Sequence, residues 1–170
     1  MITSNASDLI QQLKAYKKDL KQKEERLVAE LVGVGTEVAN VELDSAVYTG
    51  YKNAQIVSEA KGKRGHVSMV GYSAGFIEFG TGMEYIGAED THPLADNYGA
   101  IRGEWGKGEG KNPPWIYRDI PGDNPPSGTV PLPMGMGTLT YGFPANRTMY
   151  NTGKELHQRL YDIVKDVFND

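Results

Sequence analysis

The fold is decided by residues 54–72, which read AQIVSEAKGKRGHVSMVGY. Two short runs containing β-branched residues, at 54–60 and 66–72, flank the glycine-containing segment 61–65. Runs of this kind on both sides of a turn are typical of a β-hairpin. The stretch GFIEF at 75–79 follows after a short connection and is interpreted as a third strand. The sequence therefore predicts an antiparallel β-meander.

The segment before the hairpin has the three-and-four spacing of apolar residues that indicates an amphipathic helix. Its stripe consists of Leu9, Leu13, Tyr16, Leu20, Leu27, Leu31, Val34, Val38 and Val41. We expect an N-cap at Ser7, and we expect Gly33 and Gly35 to weaken or end the helix, because glycine destabilises a helix interior. A helix this long is expected to lie across the sheet or to protrude towards a neighbour. Lys14, Lys17, Lys18 and Lys21 share its opposite side, which predicts a solvated face or a contact with an acidic partner or DNA.

A second amphipathic helix is predicted at the end of the chain. Its stripe consists of Met149, Leu156, Leu160, Ile163 and Val167, and Asn146 or Thr148 is the expected cap. The predicted class is α+β: a long N-terminal helix, an antiparallel β-meander, a long irregular insert and a C-terminal helix, with both helices on one face of the sheet. We expect one domain over 1–170, with a core at about 7–81 and 143–170 and an insert at 82–142.

The predicted insert differs in composition from the rest of the chain. Residues 82–142 contain 12 of the 21 glycines, 8 of the 9 prolines and both tryptophans. Irregular segments of this length are uncommon in compact domains, and disordered segments are poor in aromatic residues. We therefore predict that the insert becomes ordered against partner subunits, with a loop folded on its own domain as the alternative.

Few residues are arranged for chemistry. The chain has no cysteine, and its three histidines lack the spacing of a metal pair. The glycine run at 106–111 does not match a phosphate-binding loop. Carboxylates at Glu78, Glu84, Glu89 and Asp90 are available for acid–base work, but nothing in the sequence sets their separation. We predict no catalytic residue, no cofactor and no metal.

Charge and hydropathy limit the partners. A net charge of −4 argues against nucleic acid as the main ligand, because that affinity comes largely from neutralising phosphates. No apolar run is long enough to suggest a membrane span, and the first residues do not follow the plan of a signal peptide. We expect the protein to stay in a cytoplasm until it is assembled.

Three stretches, in a fixed order, carry a resemblance to a known family. They are FIEFGTG at 76–82, PWIY at 114–117 and TYGFPANRTM at 140–149. From about Ser45 onward the chain resembles the neck or tail-completion proteins of long-tailed double-stranded DNA phages, the lambdoid gene-product-ten-like group of minor head–tail connectors. The first helix matches in kind only.

The resemblance implies a non-enzymatic virion protein of the neck. It implies a ring of six copies, with twelve as the alternative, around the DNA channel between the portal complex and the tail tube. Neighbouring portal-side or head-completion proteins and tail-side proteins would be its partners, and DNA would pass without sequence-specific binding. Rings arise when two different patches of each subunit meet head to tail.

Residues of the three stretches and the aromatic residues of the insert are the candidates for such patches, with internal packing of a loop base as the alternative. The interface candidates are Glu78, Phe79, Gly80, Thr81, Trp105, Trp115, Tyr117, Tyr141, Phe143, Pro144, Asn146 and Met149. Two other functions stay open. One is a tail terminator or tail-tube protein of the same virion. The other is a small metal-dependent hydrolase or nuclease built on carboxylates near Glu78.

Overall fold

The computed structural model describes residues 3–48, 52–80, 92–98, 100, 115–117, 129–132, 138–140 and 145–169. The helices are α1 (Thr3–Ser45), α2 (Ala74–Phe79) and α3 (Thr148–Asn169), and a 3-10 turn lies at Asp96–Tyr98. The strands are β1 (Gln55–Lys61), β2 (Arg64–Val70), β3 (Trp115–Tyr117), β4 (Thr129–Pro131) and β5 (Thr138–Thr140). The predicted α+β class is confirmed, with a long N-terminal helix, an antiparallel hairpin and a C-terminal helix. Within the described ranges, none of the helices has both the length and the apolar character needed to cross a bilayer.

Helix α1 is continuous over 43 residues, roughly 64 Å at 1.5 Å per residue. The predicted start at Ser7 and the predicted weakening or end at Gly33 and Gly35 are both wrong. Gly35 is buried, and a Cβ atom there would lie 3.0 Å from Leu156 Cδ1 and 3.2 Å from Val67 Cγ2. The hairpin and α3 thus close on α1 at this residue, and their packing offsets the cost of about 1 kcal/mol that glycine imposes in a helix.

The hairpin pairs β1 with β2 in a register that runs from Gln55↔Val70 to Lys61↔Arg64. Its turn is therefore only Gly62-Lys63, shorter than the five residues that the sequence predicted. Gly62 has φ +58, and Lys63 is not among the residues with positive φ. Glycine at the first central position with this φ is the pattern of a type II′ turn, whose twist suits the two strands. One face of the hairpin packs on α1, where a Cβ atom at Gly65 would meet Val28 and Val32.

The predicted third strand is wrong, because residues 74–79 form the short helix α2. Gly71, with φ +127, redirects the chain after β2, and the backbone nitrogen of Ile77 then donates to the Ser73 carbonyl at 2.9 Å. Apolar residues at Phe76, Ile77 and Phe79 also fit a helical turn better than strict alternation. The helix ends at Gly80, which has φ +72 and donates its N–H to the Phe76 carbonyl at 2.8 Å.

Helix α3 runs antiparallel to α1. Near its start, Asn151 Nδ2 donates to Glu42 Oε2 at 2.9 Å, and at its end Lys23 Nζ donates to the Phe168 carbonyl at 3.2 Å. The main support of α3 is thus α1, which corrects the expectation that both helices would pack on the sheet. The carbonyl end of a helix carries a partial negative charge, so Lys23 is well placed there.

The predicted insert contains a small antiparallel sheet with the strand order β3-β5-β4. Trp115 pairs with Thr140, and Thr129 pairs with the same residue from the other side. Each strand has three residues, which is too short for alternation to be recognised in the sequence. Pro131 lies in an edge strand, where the missing N–H is tolerated.

The apolar core is small, and part of α1 lies outside it. Among the described residues, the buried apolar side chains are those of Ala39, Leu43, Ile77, Ala100 and Val167. Every side chain from Asn5 to Asp19 is exposed, and burial along α1 begins at Leu20. We call residues 5–19 the N-terminal arm. Residues 20–45 of α1 support the hairpin and α3, as expected of a helix that lies across the sheet, whereas the N-terminal arm protrudes. That the arm protrudes towards a neighbour stays a prediction.

Candidate functional site at the start of helix α3

The site begins with the Glu78 side chain, which α2 holds at the N-terminus of α3. Glu78 is 7% exposed; its Oε2 accepts the backbone N–H of Met149 at 2.7 Å, and its Oε1 accepts that of Tyr150 at 3.0 Å. These amides are the second and third of α3 and have no partner within the helix. A carboxylate 70 residues upstream in the chain therefore caps this helix, and its negative charge lies at the positive end of the helix dipole.

His92 completes the surroundings of this carboxylate. Its Nε2 atom lies 2.9 Å from Glu78 Oε1, and its Nδ1 atom accepts the backbone N–H of Leu94 at 3.0 Å. Because Nδ1 is an acceptor, the hydrogen-bond network assigns the ring hydrogen to Nε2, which donates to Glu78. The buried ring also contacts Phe79, with centroids 4.6 Å apart, and the edge of Tyr150, at 5.4 Å. Both ring nitrogens are thus engaged within the protein.

Asn146 ties the same region to the end of α1. Its Oδ1 accepts the backbone N–H of Val47 at 2.8 Å, and its Nδ2 donates to the Val47 carbonyl at 2.9 Å. Its own backbone N–H donates to the Ile77 carbonyl at 2.9 Å, and the next N–H, of Arg147, donates to the Glu78 carbonyl at 3.2 Å. Asn146 therefore joins the segment that follows α1 to α2 and to the start of α3.

Arg147 has φ +59, a left-handed conformation that costs a non-glycine residue about 1–2 kcal/mol. Its carbonyl accepts the N–H of Asn151 at 2.8 Å, which is the first hydrogen bond of α3. The paired backbone on both sides of Arg147 holds this conformation. We call Glu78, His92, Asn146, Met149 and Tyr150 together the anchor cluster.

No protein-family model, curated protein or solved structure matches this chain.

The anchor cluster brings together residues from the two ends of the predicted insert. Gly80 closes α2 on one side, and Ala145 precedes the cluster on the other. The backbone bonds of Asn146 and Arg147 to residues 77 and 78 hold these ends side by side. His92, which lies within the predicted insert, belongs to the same cluster, so this part of the insert packs on its own domain.

The interface candidates divide into three groups. Glu78, Phe79, Gly80, Asn146 and Met149 lie in or beside the anchor cluster, where their described contacts are within the chain. The backbones of Trp115 and Tyr117 pair with β5. The remaining candidates lie outside the described residues, and they are Thr81, Trp105, Tyr141, Phe143 and Pro144. An interface role for any of the three groups stays a prediction.

The sequence reasoning missed His92 and Tyr150 of the anchor cluster, and it missed Val47, which binds Asn146. His92 is a lone histidine in a glycine-rich segment, and Val47 contributes only its backbone. Neither residue type nor spacing marks such positions. The capping role of Glu78 was missed as well, because the sequence places it 70 residues from the helix that it caps.

A cavity of about 240 Å³ lies beside the cluster and is lined partly by Glu78, His92 and Tyr98. It is smaller than the ~300–1,000 Å³ of usual small-molecule sites. In the described part of the chain, no three histidine or acidic side chains are grouped so that they could hold a metal ion. Two of the three hydrogen bonds to Glu78 come from main-chain amides, so the arrangement acts as a clamp between segments.

Proposed function

We propose that the protein is a structural subunit of a tailed-phage neck, which joins head to tail as a ring around the DNA channel. The observation that carries the proposal is the meeting of two of the three stretches on which the resemblance rests. Glu78 of the first stretch and Asn146 and Met149 of the third belong to the anchor cluster, and the carbonyls of Ile77 and Glu78 accept the backbone N–H groups of Asn146 and Arg147. The two stretches are far apart in sequence but contribute to one structural unit. This shared role is a reason for them to occur together and in this order in the family that the chain resembles.

The anchor cluster also supports an architectural reason for these motifs. By pairing residues 77 and 78 with 146 and 147, and by holding His92 against Glu78, it fixes both ends of the predicted insert and one residue within it. Binding loops are commonly held by a rigid scaffold in this way. A glycine- and proline-rich segment with aromatic side chains is suited to contacts with neighbouring subunits, where aromatic residues are enriched.

Exposed apolar surface on α1 supports assembly with other chains. Leu13 is 58% exposed and Tyr16 is 65% exposed, on an arm that is helical along its whole length. Isolated helices of about this length are marginally stable in water, and contiguous exposed apolar patches mark interaction sites. The exposed stripe on the arm therefore supports contacts with other chains.

The geometry around Glu78 favours a structural role over the hydrolase alternative. Its oxygens accept three hydrogen bonds from Met149, Tyr150 and His92, and both nitrogens of His92 are engaged. A general base must be free to reach the proton that it removes. In this chain the same carboxylate is used to cap a helix.

The balance of elements favours a neck protein over a tail-tube subunit. The helices α1 and α3 contain 43 and 22 residues, whereas the longest strands among the described residues contain 7. Tube subunits are expected to be dominated by strands. The tail-terminator alternative is separated from the neck by where the protein lies in the virion.

Two measurements test the proposal. Light scattering after size-exclusion chromatography, together with negative-stain electron microscopy, should find closed rings of six or twelve copies as the concentration rises or when a portal-bearing head is added as a template. The gene neighbourhood should contain portal and capsid genes upstream and a tail-tube gene downstream. A chain that stays monomeric with the template present, in a neighbourhood without virion genes, would refute the proposal.

A further inference from the structure

The N-terminal arm has three distinct longitudinal strips. Leu9, Leu13 and Tyr16 form an exposed apolar stripe. At 100° per residue, Lys17 falls on one flank of the stripe and Lys14 lies farther round on the same side, whereas Lys18 lies opposite the stripe. Asp8 and Asp19 fall on the other flank. The arm is therefore basic on one side of its apolar stripe and acidic on the other.

A groove between α1 and α3 has the complementary pattern. We call it the α1–α3 groove; its volume is about 410 Å³. Its apolar part is formed by Val38 and Val41, of which Val41 is 63% exposed. The α1 side carries Glu37 and Glu42, and the α3 side carries Lys154 among its lining residues.

Charges in the groove are available to a partner. Glu37 and Lys154 make no ion pair with the described part of the chain, whereas Arg159 is paired with Glu155 at 2.7 Å. The lysine flank of an incoming arm would face Glu37, and the aspartate flank would face Lys154. Reversing the direction of the arm exchanges its flanks, so the charges select one of the two directions along the groove.

The arm cannot occupy the groove of its own chain. Tyr16 and Glu37 are 21 residues apart on the same continuous helix, roughly 32 Å along its axis. The arm and the groove are thus two different patches at opposite ends of one rigid rod. A contact between them joins one chain to the next, head to tail.

We propose that the N-terminal arm of each chain docks in the α1–α3 groove of a second copy. The contact buries Leu13 and Tyr16 against Val38 and Val41, and it sets Lys17 opposite Glu37. An apolar stripe needs an apolar partner, which a second copy offers and a nucleic-acid backbone does not. This inference deepens the proposed function, because it names the contact by which the copies join.

Cross-linking tests the contact directly, since the chain has no cysteine. One preparation carries Leu13→Cys, and another carries Val41→Cys. After mixing and mild oxidation, we expect a disulfide-linked dimer that contains one chain of each kind. Both residues are exposed, so each variant should fold. As a matched control, Leu13→Cys mixed with Ser58→Cys, which is on the exposed hairpin, should give no dimer above background.

A charge exchange tests the direction of docking. Lys17→Glu and Glu37→Lys, each alone, place like charges together and should weaken self-association by about 2- to 5-fold in sedimentation velocity. In an equimolar mixture the two variants can alternate, so that each arm with Lys17→Glu meets a groove with Glu37→Lys and each unchanged arm meets an unchanged groove. Self-association should then have the same concentration midpoint as in the wild type. Glu30→Lys is the control, because Glu30 is exposed on α1 outside the groove. This variant should leave the concentration midpoint of self-association unchanged.

The outcomes separate this inference from the proposed function. Closed rings without the Leu13–Val41 cross-link, and without recovery in the mixture, overturn the inference and leave the neck proposal intact. Cross-links in open-ended chains support the inference and refute the ring. If Lys17→Glu reduces retention on DNA but leaves self-association unchanged, the arm binds nucleic acid and the inference is overturned. An absence of both cross-link and self-association at the highest concentration also overturns it.

Discussion

Replacing Glu78 by glutamine tests the anchor cluster with the smallest change in shape. A carboxylate accepts hydrogen bonds at both oxygens, whereas a carboxamide has one oxygen and one NH₂ group. With the nitrogen at the Oε2 position, the NH₂ faces the N–H of Met149; at the Oε1 position, it faces both Tyr150 and His92. Glutamine therefore leaves at least one donor without an acceptor in either orientation.

The expected loss follows from these contacts. A buried hydrogen-bond donor that is left without an acceptor costs about 1–3 kcal/mol. Loss of the negative charge at the N-terminus of α3 adds about 0.3–1 kcal/mol. We expect Glu78→Gln to lower the free energy of unfolding by about 1–4 kcal/mol, which for a chain of this size lowers Tm by roughly 3–15 °C. Glu78→Ala, which removes all three acceptor contacts, should cost about 3–5 kcal/mol.

Urea and thermal unfolding followed by circular dichroism at 222 nm measure the change, with Glu30→Gln as the control. Glu30 is exposed on α1, and its replacement should change stability by no more than about 0.5 kcal/mol. Hydrogen exchange should localise the effect to the amides of Met149 and Tyr150. If Glu78→Gln is as stable as Glu30→Gln, or if those two amides keep their protection, the carboxylate does not cap α3.

Four further substitutions probe the rest of the fold by urea unfolding. Gly35→Val should destabilise the protein by about 1–3 kcal/mol, because its Cβ atom would lie 3.0 Å from Leu156 Cδ1. Gly33→Ala should stabilise it by up to about 1 kcal/mol, because a Cβ atom there meets nothing within 4 Å. Equal effects of the two substitutions would contradict the packing described for α1. Gly62→Val should cost about 1–2 kcal/mol, because φ +58 disfavours a branched side chain, and an unchanged midpoint would argue against the II′ turn. Asn146→Ala removes two hydrogen bonds to the Val47 backbone and should cost about 1–3 kcal/mol, while a smaller loss would mean that water replaces the amide.

The two long helices, α1 and α3, and the hairpin were predictable because each carries a local pattern that continues for several turns or for a whole strand. The errors arose where packing outweighs a local preference. Gly35 looked like a helix weakener, yet its lack of a side chain is what lets α3 and β2 approach α1. Residues 75–79 are too few for period to distinguish strand from helix, and the turn at Gly71 decided between them.

The site was less accessible to sequence reasoning. Glu78 and Asn146 were selected from motifs, and both belong to the anchor cluster, but the bonds that unite them span about 70 residues. Contacts of main-chain atoms, such as those of Val47 and Leu94, leave no trace in residue identity. The motifs in the sequence indicate only that Glu78 and Asn146 are candidate positions. How they contact is a property of the fold alone.

Because α1 is uninterrupted, its length fixes the distance between the N-terminal arm and the α1–α3 groove. Because one rod reaches from the arm to the α1–α3 groove, the spacing and the phase between them depend on the number of intervening residues. Inserting a single residue near Gln22 would rotate the arm by 100° about the helix axis and turn its apolar stripe away from its present direction. Inserting seven residues would keep the stripe within about 20° of that direction and lengthen the helix by roughly 10 Å. Length variation between Leu20 and Leu27 should therefore be tolerated only in steps of about two helical turns.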